Sequence, residues 1–382
     1  MPGRPLALLL LPRELEGFIL REQAEDLMQA PGVLAVDPPR VRYGALARLP
    51  IPVRDRLSRG QARRLLKGLR RGVARRTGVD RDDVAIGVVV IFHAVQEPLA
   101  REIVRQAGDG CELWYGRWDR YEAAYDADER TRAVLADLHE RAATASALTF
   151  VASVELERQE RAAGREAVLV GLSAGDFPAP EPLPVPGDAD LAEFPGVTRA
   201  AREGDVLALS LGHLGRRTDW ALVRGICERR AGLRLLLVGA WHDDEVPGDE
   251  DYAWCRASSQ IVWLGRRSDE ETSTLLRVCD VGIVPFRVEP FNDAGLPYRI
   301  LKYAKLGRRS VCPDLAGVRT WAHAVDVAAD ADAFAAALDR YEGARERPDP
   351  ELRAWALSQT PWAVNRPLWD RLREAGVDTG GR

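Results

Sequence analysis

The chain has 382 residues, a formal net charge of −4 and 29% charged residues. That length exceeds what one hydrophobic core serves, so two domains are expected, and the near-balanced charge gives no reason to look for a nucleic-acid partner. Five cysteines, odd in number and without a Cys-x-x-Cys pair, argue against a disulfide framework or a cysteine zinc site.

The apolar run at 6–11 reads as a first buried strand. It is too short to span a bilayer and runs straight into Arg13 and Glu14, so a cytoplasmic protein is expected. Leu15, Phe18, Ile19 and Leu27 stand near helical spacing over 14–29, and a second strand follows at 32–36. Residues 54–76 are densely basic: Arg63, Arg64, Lys67, Arg70 and Arg71 interleave with Leu65, Leu66 and Leu69 on a helical pattern. Such a helix fits either a solvated surface face or peripheral contact with an anionic membrane.

The clearest strand of this half, 84–92, ends at His93. Ligands of open parallel sheets sit beyond the carboxyl ends of strands, so His93 stands where a site belongs, although a histidine there is also a common structural residue. The stretch 112–121 places Trp114, Tyr115, Trp118 and Tyr121 beside Arg117, Asp119 and Arg120. Aromatic faces with charged neighbours can hold a sugar ring, and they can equally pack a domain interior. A helix over 128–145 and a strand over 148–153 follow. The closely spaced prolines of 177–195 then mark a semi-rigid connector.

Beyond the connector, strands (206–211, 233–238, 261–264) alternate with helices (220–229, 268–278), the signature of a parallel sheet with helices on its faces. Between the first strand and helix lie Gly212, His213, Gly215, Arg216 and Arg217. Glycines permit close backbone approach and arginines offer forks for phosphate oxygens, while the alternative is a tight turn with solvated arginines. The stretch 280–314 reads as strand, polar loop, helix and strand. Glu289, Asn292 and Asp293 lie in its loop, and Gly295-Leu296-Pro297 leads into a helix over 296–306 whose free N–H groups suit a phosphate. Trp355, Trp362 and Trp369 mark an aromatic tail.

The 280–314 stretch resembles the donor-site segment of retaining GT-B glycosyltransferases, the group called glycosyltransferase family 4. A related subgroup carries Pro-x-Lys-x-x-Glu-Tyr where this chain reads Pro297-Tyr-Arg299-Ile-Leu-Lys302-Tyr303. The resemblance implies an α/β fold of two facing Rossmann-like domains, each a parallel sheet with helices on both faces. Residues 1–176 would form the acceptor-side domain, 177–200 a proline-rich linker, 201–346 the nucleotide-sugar domain, and 347–382 a helical tail crossing back to the first domain. It implies transfer of a sugar, with retention and without a metal or other cofactor, from a nucleotide-sugar donor to an unidentified acceptor.

On that pattern Glu289 and His93 are the catalytic candidates. Gly212, Gly215, Arg216, Arg217, Asn292, Asp293, Gly295, Leu296, Arg299 and Lys302 would bind the donor, and Trp118 and Asp119 would face the acceptor. Two departures stand out. Pro12-Arg13-Glu14 replaces the family's glycine pair after the first strand, and Lys302 replaces the glutamate that holds the ribose. An ammonium accepts no hydrogen bond, so Lys302 is expected to lean toward the diphosphate beside Arg216, Arg217 and Arg299. These departures leave two alternatives, a weakly catalytic sugar- or lipid-binding member and a sugar-nucleotide 2-epimerase. The epimerase needs several acids, for which the first half offers little beyond Glu97 and Asp119.

Overall fold

Uninterrupted runs of Leu, Val and Ile are the composition of strands buried on both faces, and in the computed structural model they form two wholly parallel sheets. Residues 5–39, 42–125 and 127–381 are described. The chain divides into Met1–Ser173 with Pro361–Arg382, and Ala174–Thr360. The proline-rich stretch from Phe177 therefore lies within the second unit, and of the tail the residues from Pro361 onward join the first.

In the first unit β1 (Leu6–Leu10), β2 (Val33–Val36), β3 (Ile86–Ile91), β4 (Glu112–Arg117), β5 (Leu148–Val151) and β6 (Ala167–Leu169) lie in the order β2-β1-β3-β4-β5-β6. One face packs Leu8, Leu10, Val89, Ile91, Leu113 and Tyr115 against Leu99, Ile103 and Leu138 from helices. The basic segment is a single helix, Ile51–Thr77, that docks through the four-residue spacing of Ser58, Ala62 and Leu66. The expected helix over 14–29 is instead a 3-10 turn, Leu15–Gly17, followed by the helix Arg21–Leu27.

The tail is tied to that short helix by polar groups. Buried Asn365 donates to Gln23 O and to Asp26 Oδ2, each at 2.9 Å, and Trp369 Nε1 donates to the same Asp26 oxygen at 3.0 Å. Gly32 N donates to Asp378 O at 2.9 Å. Residues from the end of the chain thus complete the first core.

In the second unit β7 (Val206–Leu211), β8 (Leu233–Val238), β9 (Ile261–Trp263), β10 (Val281–Ile283), β11 (Ser310–Cys312) and β12 (Val325–Val327) lie in the order β12-β11-β10-β7-β8-β9. The order reverses between β7 and β10, which opens a crevice beyond their carboxyl ends. Side chains alternate as the pleat requires. Val281 and Ile283 join Trp220, Val223, Ile226 and Phe334 on one face, and Gly282 turns to the other, where a Cβ would fall 2.1 Å from the Tyr303 ring. Tyr303, fully buried, accepts Leu211 N–H at 3.0 Å and donates to Ile283 O at 3.3 Å, which fixes the helix Arg299–Lys305 at the ends of β7 and β10.

Candidate functional site

The loops leaving β7 and β10 pair with each other, Thr218 bridging Phe286 antiparallel. Arg287 N donates to Arg217 O and Asp219 N to Pro285 O, at 2.9 and 2.8 Å. Asn292 closes this junction from inside: its Oδ1 accepts Arg217 Nε at 2.9 Å, and its Nδ2 donates to the carbonyls of Arg287 (2.9 Å) and Arg217 (3.3 Å). At 2% exposure, Asn292 has its amide committed to the two loops, so its part is to hold Arg217.

The guanidinium groups of Arg217 and Arg299 both lie against the Phe286 ring, 4.5 and 4.6 Å from its centroid. Arg299 has no carboxylate or hydrogen-bond partner among the described residues. Burial pushes its pKa down to about 10, opposed by Tyr303 and reinforced by the charge of Arg217. It is still a cation at neutral pH, but one short of counter-charge, which is what an anion would supply. Gly212, at φ +107°, lies against this guanidinium.

Glu289 sits at the start of a five-residue helix, Pro290–Ala294, where a polar loop was expected. Its side chain makes no capping bond and has no partner among the described residues. Asp293 is committed elsewhere, its Oδ1 accepting Ala316 N–H at 2.8 Å. Gly295 N donates to Phe291 O at 3.3 Å, so that amide is not free for a ligand. The next amide, of Leu296, has no partner among the described residues. Gly215 and Arg216 stand against Glu245, whose Oε2 accepts Arg216 N–H at 3.1 Å.

Lys302 corrects the expectation made for it. Its ammonium is taken by Asp269 Oδ1 at 2.6 Å and lies 5.0 and 5.4 Å from the Phe177 and Tyr298 ring centroids. A full carboxylate partner outcompetes any lean toward the arginine cluster.

In the first unit His93 Nδ1 accepts Val95 N–H at 3.1 Å, which leaves the proton of the neutral ring on Nε2. Gln96 locks the turn, its Oε1 accepting Phe92 and His93 N–H and its Nε2 donating to Leu10 O at 2.6 Å. His93 stacks on Tyr121 at 4.0 Å and lines a cavity of about 630 Å³ with Gly44, Arg48 and Thr131. Burial pushes its pKa down to about 4.

The 112–121 cluster is mainly interior. Trp114 and Tyr115 are strand residues at 2% and 1% exposure, and Arg117 is held by Glu160 and Glu122, each at 2.7 Å. Trp118, 6% exposed, gives its ring to Phe150 at 5.7 Å and offers no open face, whereas Tyr121 lines the same cavity as His93. Asp119, half-buried, follows the end of β4.

One grouping was not read from the sequence. His213, His242 and Glu245 bring their donor atoms within 4.8 Å of one another, although 29 residues separate the histidines. The signal available in the sequence was a histidine in each of the loops that follow two neighbouring strands, two residues beyond β7 and four beyond β8.

Residues 218–341 match the family described as Glycosyl transferases group 1. Over 114 residues, 30% of this chain, the sequence is 24% identical to a Bacillus subtilis (strain 168) protein described as a teichuronic acid biosynthesis glycosyltransferase, TuaH; the match spans 28% of that protein. Among solved structures, sucrose-phosphate synthase from Thermosynechococcus elongatus is similar at TM-score 0.64 and 14% identity, over 97% of this chain and 99% of that one. HepE of Anabaena, in complex with UDP, is similar at TM-score 0.63 and 12% identity, over 97% and 100%. A UDP-N-acetylglucosamine 2-epimerase from Listeria monocytogenes is similar at 0.54 and 10%, over 97% of each.

Proposed function

We propose that this protein moves a sugar from a nucleotide-sugar donor to an acceptor, a reading supported by the match of residues 218–341 to the group 1 glycosyl transferases and by the GT-B fold. The observation that carries this reading is the pair Arg217 and Arg299 beside Gly212 at the crevice between β7 and β10. Two guanidinium groups, one lacking a counter-charge, suit the two phosphates of a nucleoside diphosphate. HepE, which has a similar fold, binds UDP and UDP-glucose, which supports a uridine-type donor.

As the sugar departs, negative charge develops on the diphosphate. Arg217, Arg299 and the Leu296 amide would stabilise it without reorganising, because the Asn292 clamp and Tyr303 already fix their positions. Uncommitted Glu289 would orient hydroxyls of the donor sugar, and His93 would offer its Nε2–H as a neutral donor. Retention of configuration, a cytoplasmic setting and peripheral contact with anionic lipid belong to the same proposal. Ile51, Val53 and Leu57, exposed in the first turns of the basic helix, support the lipid contact. No helix among the described residues is long and apolar enough to cross a membrane.

Incubation with nucleotide sugars in the absence of acceptor tests the reading. Slow release of nucleoside diphosphate with free sugar supports a transferase. Formation of an epimerised nucleotide sugar identifies an epimerase instead, and no binding of any nucleoside diphosphate overturns the site.

A further inference from the structure

The loops that leave β7 and β8 continue the parallel pairing of those strands. Leu214 N donates to Ala240 O at 3.2 Å, His242 N donates to Leu214 O at 3.1 Å, and Leu214 bridges Trp241. This backbone zipper sets the imidazoles of His213 and His242 face to face, their centroids 3.8 Å apart and their planes 26° apart. A 3-10 turn, Asp243–Glu245, then folds the chain back, Glu245 N donating to His242 O at 3.1 Å, and delivers the Glu245 carboxylate to both rings. Its Oε2 lies 2.6 Å from His213 Nε2 and its Oε1 lies 3.8 Å from His242 Nδ1.

We propose that His213, His242 and Glu245 form a site for one divalent transition-metal ion of the zinc class. Two neutral imidazoles and a carboxylate are the donor set such ions take, at about 2.0–2.2 Å, with a fourth position left open. The side chains are 26%, 28% and 25% exposed, enough for an ion to enter and for the fourth position to face solvent. To seat the ion, the His213–Glu245 contact opens by less than about 1 Å, the His242–Glu245 contact closes slightly, and the two stacked rings turn so that their in-plane lone pairs converge on one point.

Two features argue for a built site. Ligating carboxylates are normally themselves hydrogen-bonded, and Glu245 Oε2 accepts Arg216 N–H at 3.1 Å. Gly215 leaves the space: a Cβ there would stand 2.3 Å from Glu245 Oε2 and 2.6 Å from His213 Nε2. Through Arg216 the ion would brace the loop that carries Arg217. The site stands on its own geometry, so its failure leaves the diphosphate reading intact, and the converse holds.

The test is titration of chelator-treated protein with zinc and with cobalt(II). One ion per chain is expected, with visible cobalt bands of a four-coordinate site and no near-ultraviolet thiolate charge-transfer band, which separates this site from the cysteines. In a nitrogen-15 histidine spectrum of the parent protein, two of the five histidines should shift on adding zinc. His242→Ala and Glu245→Gln should each weaken binding at least a hundredfold or so, beyond what loss of a supporting partner costs, with metal-free melting temperature retained. No bound ion, a thiolate band, unshifted histidines, or folded variants that bind as tightly as the parent would each overturn the proposal. Should a variant not fold, the cobalt and histidine spectra of the parent decide alone.

Discussion

A Cβ placed on Gly212 would stand 2.7 Å from Nη2 of Arg299, so the loop after β7 and the helix Arg299–Lys305 meet through an absent side chain. Alanine at 212 must adopt φ +107° as well as displace the guanidinium, at a cost of about 1–3 kcal/mol of stability. Gly212→Ala is expected to lower both the melting temperature and the affinity for a nucleoside diphosphate. Arg299→Met, which keeps the volume and drops the charge, should lose about 1.5–3 kcal/mol of that affinity while staying folded. Calorimetry with UDP reads both, and unchanged affinity in Arg299→Met removes that residue from the site.

Asn292 supplies the clamp on Arg217, so Asn292→Ala leaves the Arg217 and Arg287 carbonyls without its amide. Loss of about 1–3 kcal/mol is expected in urea unfolding, with weaker UDP binding as Arg217 loosens. Asn292→Asp keeps an acceptor for Arg217 Nε and loses both donated bonds, so its stability should fall between parent and alanine. Parent-like stability in Asn292→Ala would show that the two loops hold without it.

Glu289 makes no side-chain capping bond, so its replacement should cost turnover without costing fold. Glu289→Gln is expected to depress kcat with its Tm near that of the parent. The opposite pattern, a large drop in Tm with activity retained per folded molecule, would make it a structural residue.

His93 has a pKa of about 4 in the folded chain against 6.5 for the free group. Between those values the unfolded chain binds the extra proton, so stability rises with pH across the window. It is complete above about 6.5 and lost as the pH falls toward 4. Melting temperatures of the parent and His93→Phe from pH 4 to 7 should converge at the acid end, the variant showing the shallower slope. Equal slopes would mean that His93 titrates normally.

The Lys302–Asp269 pair is half-exposed, so Lys302→Ala should change stability by no more than about 1 kcal/mol. Because the ammonium is held by Asp269, UDP affinity and its salt dependence should match the parent. A marked fall in affinity would return Lys302 to the phosphate.

The strands were legible because burial on both faces writes itself as an unbroken apolar run, as in Leu6–Leu10 and Val206–Leu211. β4 was not, because its charge looks like surface: Arg117 is neutralised by Glu160, 43 residues away, and no local pattern announces that partner. Lys302 misled in the same way, its carboxylate lying 33 residues upstream. The helix Pro290–Ala294 is too short to display a period. Arg217 was legible from its loop after a strand end and Arg299 from the helix pattern that follows Pro297, information that survives in sequence. The commitment of Asn292 and Asp293 to backbone groups, by contrast, is tertiary.

The closure of the first core by Asn365, Trp369 and Asp378 also sets the order in which the protein can be born. On the ribosome, Ala174–Thr360 is a continuous stretch and can fold as soon as it emerges. The unit made first must wait for Asn365, Trp369 and Asp378 to emerge before Asp26 and Gly32 gain these partners. Synthesis from the N-terminus therefore gives a second half that finishes before the first, the reverse of the usual vectorial order. An arrested chain ending near Thr360 should resist protease in its C-terminal half while its N-terminal half is still cut.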